Sequence, residues 1–157
     1  MRILFVCLGN ICRSPLAEGV FRHHVQAAGL AHRFAIASAG TGGWHVGEPP
    51  DPRTCASALE RGIDIRHQRA RQLQPGDLLR HDLILAMDRS NLRDVKKLDR
   101  KAELAHVRLF RDFDPEPGDG EVPDPYYGGE EGFRLVFEIV DRTSRALLEH
   151  LRREFAL

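Results

Sequence analysis

The stretch FVCLGNICRSPLAEG, Phe5–Gly19, sets Cys7 six residues before Arg13, with Ser14 directly after. A turn of that length between a strand and a helix can curl around a tetrahedral oxyanion. The backbone N–H groups along Leu8, Gly9, Asn10, Ile11 and Cys12 would point inward, and the helix N-terminus adds partial positive charge. Arg13 brings a planar fork that matches two oxygens of a phosphoryl group. Cys7 would lie at the floor, where amides and the helix dipole favour the thiolate, the form that attacks. Ser14 can donate a hydroxyl hydrogen bond to the sulfur and so help it leave in a second step. Gly9 supplies backbone freedom, and Asn10 tolerates a left-handed conformation that would turn the amides inward. The glycine-lysine loop of nucleotide-binding proteins, G-x-x-x-x-G-K-[ST], is absent, so nucleotide binding is not the first reading.

A thiol–phosphate intermediate needs an acid to protonate the leaving oxygen and a base to activate water, and one carboxyl group can do both. Candidates lie in RDFDPEPGDGEVPDPYYGGEEG, Arg111–Gly132, an acidic segment rich in Pro and Gly. A loop this long inside a compact domain is often functional. Asp124 is pinned between Pro123 and Pro125, and Tyr126 and Tyr127 follow closely; their rings can wall an aromatic leaving group. Spacing alone does not choose Asp124 over Asp112, Asp114 or Asp119.

These groups need a frame that brings them together. RILFV, Arg2–Val6, reads as a strand buried on both faces. Ser14 is suited to cap the following helix and Pro15 to its first turn; Ala17, Val20, Phe21, His24 and Ala28 then recur at helical spacing up to Gly29. Arg33–Gly40 reads as a second strand and Gly40–Pro52 as a loop. Asp51 is placed to cap a helix to about Arg61, and His81–Asp88 contains a third strand. Asp88 is placed to cap the helix RSNLRDVKKL, and Ala105–Phe110 reads as a fourth strand. Phe133, Val136, Phe137, Val140, Leu147, Leu148 and Leu151 form the stripe of a last helix. Strands alternating with helices predict an α/β fold: a four-stranded parallel sheet in a three-layer α/β/α arrangement, as a single domain over residues 1–157. In such sheets ligands bind beyond the carboxyl ends of the strands, where the first loop begins.

Bulk properties narrow the partners. Lys and Arg number 23, as do Asp and Glu, so no net charge draws the chain toward nucleic acid or an anionic membrane. No apolar run is long enough to span a bilayer, and MRILFV is too short for a signal peptide, so the chain reads as cytoplasmic. Three cysteines without a C-x-x-C pair argue against a disulfide framework or structural zinc. Cys55 lies in a helical pattern with no nearby partner and reads as a packing residue.

With these residues in view, the chain resembles the low-molecular-weight protein tyrosine phosphatases. VCLGNICRSPLAE is similar to that family's phosphate loop and DPYYG to its general-acid loop; MDRSNLRDV and RQL, Arg71–Leu73, resemble further shared segments. The resemblance implies Cys7 as nucleophile, Arg13 as transition-state clamp and Asp124 as general acid and base. Asn10 and Ser38 would form the network that holds the loop, and Cys12 would pair reversibly with Cys7 under peroxide, protecting it from irreversible oxidation. Trp44, with Tyr126 and Tyr127, would select a flat substrate such as phosphotyrosine. The substrate implied is a phosphotyrosine-bearing protein, with phosphate and other oxyanions as competitive ligands and no metal or other cofactor. One position departs from the family pattern: a histidine often stands three residues before the family's RQ, where this chain has Gln68, with His67 one residue earlier.

Two other chemistries fit a similar loop. Arsenate reduction would need further cysteines in a mobile downstream segment, and Leu83–Ser90 has none. A phosphotyrosine reader without catalysis would have no use for the acid.

Overall fold

The computed structural model describes residues 1–98, 104, 106–126 and 128–157. Its sheet is built from β1 (Arg2–Cys7), β2 (Ala35–Gly40), β3 (Leu83–Ala86) and β4 (Val107–Leu109), all parallel, in the order β2-β1-β3-β4. Between and after the strands run α1 (Arg13–Ala27), α2 (Pro52–Leu59), the short α3 (Asp77–Arg80), α4 (Arg89–Lys96) and α5 (Glu130–Phe155).

β1 is central, and side chains alternate across a strand. Ile3, Phe5 and Cys7 therefore join one core with Leu16, Val20 and Phe21 of α1 and Val136, Phe137 and Val140 of α5. Leu4 and Val6 join the other with Leu78 of α3, Ile84 of β3 and Val95 of α4. Two buried faces explain why β1 is a continuous apolar run. Phe5 meets Phe21 and Phe110 edge to face, at centroid distances of 5.8 and 5.4 Å. The α/β class, the parallel sheet and the three layers agree with the sequence. Among the described residues, no helix is long and apolar enough to cross a membrane.

β1 pairs with β2 on one side and β3 on the other. The chain from β2 to β3 therefore crosses over β1, which makes the carboxyl end of β1 the switch point where open α/β sheets bind ligands. The loop from Cys7 to Arg13 begins there.

Some boundaries differ from the pattern. Residues Ala31–Arg33 form a 3-10 turn, so β2 starts at Ala35. The segment after β4 opens with a second such turn, Phe110–Phe113, and α5 starts at Glu130, a turn before its apolar stripe. Helix α3 carries no periodicity long enough to read. The seven stripe residues of α5 are all buried. Asp51 and Asp88 cap α2 and α4 as expected, accepting the N–H groups of Arg53 and Asn91. Ser14 does not cap α1. The N-cap is Cys12, which makes no side-chain capping hydrogen bond; Ser14 lies inside the helix, and its hydroxyl is engaged beneath the loop. Ala105, at the start of the expected fourth strand, lies outside the described residues.

Candidate active site

The carbonyls of Cys7 and Leu8 accept the N–H groups of Thr41 and Gly42, each at 2.9 Å, and that of Ile11 accepts Asp51 N–H at 2.8 Å. Asn10 holds the left-handed conformation, φ 57°, and its N–H lies 3.3 Å from Cys7 Sγ. Gly9 has a packing reason to be glycine: a Cβ there would stand 3.1 Å from the His45 ring.

Beneath the loop a polar network is buried. Asn10 Nδ2 donates to Ser14 Oγ at 2.7 Å and to Ser38 Oγ at 3.0 Å, while Asn10 Oδ1 accepts Arg71 N–H at 3.0 Å. Ser38 donates to Glu18 at 2.8 Å, and Glu18 is paired with Arg22 at 2.9 Å. Ser14 Oγ, already accepting from Asn10, sits 3.0 Å from Cys7 Sγ and 3.5 Å from the Ala39 carbonyl, so the sulfur is the nearer of the two groups its proton can reach. Each member fixes the direction of the next hydrogen bond, which is what makes a satisfied buried network rigid.

Arg13 is buried and crosses the cleft. Its Nη1 donates to Asp88 at 2.7 Å and to the Val122 carbonyl at 3.0 Å, and its Nη2 lies 3.5 Å from Asp124. Burial works against the guanidinium charge, but Cys7, Asp88 and Asp124 outweigh it and push its pKa up. The cleft, about 340 Å³, is lined by Cys7, Leu8, Gly9, Ile11, Cys12, Arg13, Trp44, His45, Asp124 and Tyr126. Its floor is a thiol and its rim is aromatic. Trp44 is 72% exposed, so its ring stands open to solvent at the cleft.

Spacing alone left four aspartates open and the resemblance pointed to Asp124; of the four, only Asp124 lines the cleft. Asp114 is buried between Arg111 and Arg142, Asp112 pairs with Arg108, and Asp119 lies 3.9 Å from Arg111.

The family model for low molecular weight phosphotyrosine protein phosphatase matches residues 2–157. A low molecular weight protein-tyrosine-phosphatase of Streptomyces coelicolor is 48% identical over 156 residues, covering 98% of this chain and 94% of its own. The low molecular weight phosphotyrosine protein phosphatase of Schizosaccharomyces pombe is 50% identical over 150 residues, covering 94% and 95%. The structure of a protein tyrosine phosphatase from Entamoeba histolytica, with Hepes in the active site, superposes with a TM-score of 0.93 at 36% identity, covering 100% of this chain and 99% of that one. Vibrio vulnificus Wzb in complex with benzylphosphonate gives 0.84 at 27% identity, covering 96% and 98%. The chain belongs to the low molecular weight phosphotyrosine protein phosphatase family.

Against the family pattern, the structure shows how the position of Gln68 is filled. Gln68 turns inward, 8% exposed, and donates to the Pro15 carbonyl at 3.0 Å, while His67 is exposed. Gln68 thus braces the first turn of α1. Cys12 and Cys55 are buried thiols. Burial, reinforced by the charges of Asp51, Cys7 and Asp124, pushes the Cys12 pKa up to about 12 despite the neighbouring Thr54 hydroxyl. Cys55 Sγ donates to the Pro50 carbonyl at 3.6 Å. Tyr127 lies outside the described residues.

Three site residues escaped the sequence reading. Asp88 was legible only as a helix cap, yet its second carboxylate oxygen holds Arg13. His45 lines the cleft, its Nδ1 2.6 Å from Glu48. Arg53 reaches the loop that follows Asp124. Arg13 and Asp88 are 75 residues apart and Arg53 and Tyr126 are 73 apart, too far for a local signal, and nothing in its Gly-rich loop marks His45.

Proposed function

We propose that this member of the phosphatase family hydrolyses phosphotyrosine in proteins, and aryl phosphate esters, through a phosphocysteine on Cys7, with residues 1–157 acting as one domain. In the first step Cys7 Sγ attacks phosphorus, the phosphorus–oxygen bond to the phenol breaks, and Asp124 gives its proton to the leaving oxygen. In the second, water attacks the phosphocysteine, Asp124 takes the proton, and phosphate and the Cys7 thiolate are released. Arg13 and the loop amides hold the equatorial oxygens, where charge stabilisation in a dry site is most effective. The Ser14 hydroxyl and Asn10 N–H receive the returning sulfur.

The observation that carries this reading is convergence. Arg13 and Asp124, 111 residues apart in sequence, meet at 3.5 Å above the Cys7 sulfur's cleft. Trp44 and Tyr126 at the rim favour a flat aryl ester over a small aliphatic one, in keeping with the benzylphosphonate complex of the Vibrio relative. Cys12, beside the cleft floor, is the thiol available to trap an oxidised Cys7 as a disulfide.

The test is phosphate release from a phosphotyrosine peptide and a phosphoserine peptide, in chelator, by wild type and Cys7→Ser. Release from phosphotyrosine alone, abolished in the variant while inorganic phosphate still binds, is the expected result. Undiminished release by Cys7→Ser would refute the phosphocysteine.

A further inference from the structure

We propose that Arg53 is a positioning residue that holds the Asp124 loop against the phosphate loop. The inference rests on the reading of Asp124 as the general acid. Arg53 stands at the start of α2 and makes a forked contact with Asp51, through Nε at 3.1 Å and Nη2 at 3.0 Å. The same Nη2 donates to the Tyr126 carbonyl at 2.9 Å, and Nη1 lies 3.5 Å from the Gly128 carbonyl. Its guanidinium also stacks 4.7 Å from the Phe133 ring centroid and 5.6 Å from that of Tyr126.

Both ends of this clamp are tied to the reacting groups. Asp51 is buried, and its N–H donates to the Ile11 carbonyl in the phosphate loop at 2.8 Å. Tyr126 N–H donates to Asp124 Oδ1 at 3.1 Å, so the residue whose carbonyl Arg53 grips is joined through its own N–H to the acid itself. The path from Ile11 through Asp51 and Arg53 to Tyr126 and Asp124 is continuous. It runs beside the direct contact of Arg13 with Asp124, which at 3.5 Å is long. Asp124 sits on an irregular segment between two prolines, and the side chain is 43% exposed. A carboxyl on such a segment needs an external hold to stay within proton-transfer reach, because misplacement by about 1 Å can cost about 100-fold in rate.

The role separates from substrate steering by leaving-group dependence. A phenol that leaves poorly needs the proton from Asp124, whereas 4-nitrophenol needs it far less. We would measure kcat/KM with phenyl phosphate and 4-nitrophenyl phosphate for wild type, Arg53→Ala, Arg53→Lys, Asp124→Ala and the Arg53→Ala/Asp124→Ala double variant. Thermal denaturation would be followed alongside. For Arg53→Ala the expected loss is about 10- to 100-fold on phenyl phosphate and at most about threefold on 4-nitrophenyl phosphate. The double variant should be no slower than Asp124→Ala, because the clamp acts only through the acid. Arg53→Lys keeps the charge but lacks the fork that spans Asp51 and the Tyr126 carbonyl, so it should show the same selective loss. Should Arg53→Ala not fold, Arg53→Lys carries the comparison.

Equal losses on both esters, recovered by lysine, would mean that Arg53 only attracts the anionic substrate, and would overturn the proposal. A further loss in the double variant would also overturn it. Leaving-group-independent behaviour of Asp124→Ala would instead refute the acid assignment, and this inference with it.

Discussion

Removing Asp88 leaves the buried Arg13 guanidinium without its closer carboxylate partner. Asp88 does two jobs with two oxygens: Oδ1 accepts Asn91 N–H at 2.7 Å to cap α4, and Oδ2 accepts Arg13 Nη1 at 2.7 Å. Asp88→Ser separates them, since a serine hydroxyl can cap the helix but cannot neutralise Arg13. Breaking a buried pair by removing one partner costs about 3–5 kcal/mol, because the other charge stays buried. Arg13 keeps the Val122 carbonyl at 3.0 Å and Asp124 at 3.5 Å, which argues for the low end. Asp88→Ser should therefore lose about 3 kcal/mol, and Asp88→Ala about 4 kcal/mol once a cap worth about 1 kcal/mol is added. With a slope of about 2 kcal/mol per molar urea, the midpoints should fall by about 1.5 and about 2 M at unchanged slope. Activity of both variants should fall as well, since the fork that grips phosphate is no longer aimed. A midpoint shift for Asp88→Ser smaller than about 0.5 M, or a larger one for serine than for alanine, would refute the reasoning.

Three other outcomes are expected. The Asp114 carboxylate is buried, which raises its pKa, but Arg142, the Glu116 N–H and Arg111 outweigh this and hold it down at about 2. Its stabilising contribution is thus complete above the ordinary value of 3.8 and is lost as pH falls through about 2; Asp114→Asn should be less stable at neutral pH and lose less stability across that window, followed by urea unfolding at each pH. Iodoacetamide on the native protein at pH 8 should modify Cys7 and spare Cys12, which lines the same cleft but whose thiol pKa is pushed by burial up to about 12, with added phosphate protecting Cys7; peptide mapping by mass spectrometry reads both. Gly40→Ala would put a Cβ 2.8 Å from the Leu8 carbonyl oxygen and 3.1 Å from Asn10 N, both backbone atoms of the phosphate loop; kcat should fall by at least about 10-fold as the loop is displaced, and wild-type turnover would show that the loop absorbs the strain.

How much was legible in the sequence depended on the range of the interaction. Local signals were reliable: the spacing from Cys7 to Arg13, the caps Asp51 and Asp88, the stripe of α5 and the alternation of strand and helix. Each is set by the backbone period or by hydrogen bonds a few residues apart, so the amino-acid order contains the whole cause. Ser14 shows the limit. As a local device it belongs at a helix cap, but Asn10 and Cys7 compete for its hydroxyl once the loop closes, and the buried network wins.

What the tertiary structure alone decided was which distant groups share a cleft. The crossover from β2 to β3 carries Asp88 to the end of the sheet where Arg13 emerges, and the segment after β4 brings Asp124 over the same guanidinium. The chain fixes the types of these residues. Their partnership follows from burial of Arg13, because a buried cation must gather carboxylates and carbonyls from wherever the fold supplies them. That only Asp124 of the four aspartates lines the cleft, the inward turn of Gln68 and the contacts of Arg53 are consequences of that packing; the DPYYG segment marks Asp124 by resemblance, but no period or spacing reveals any of the three.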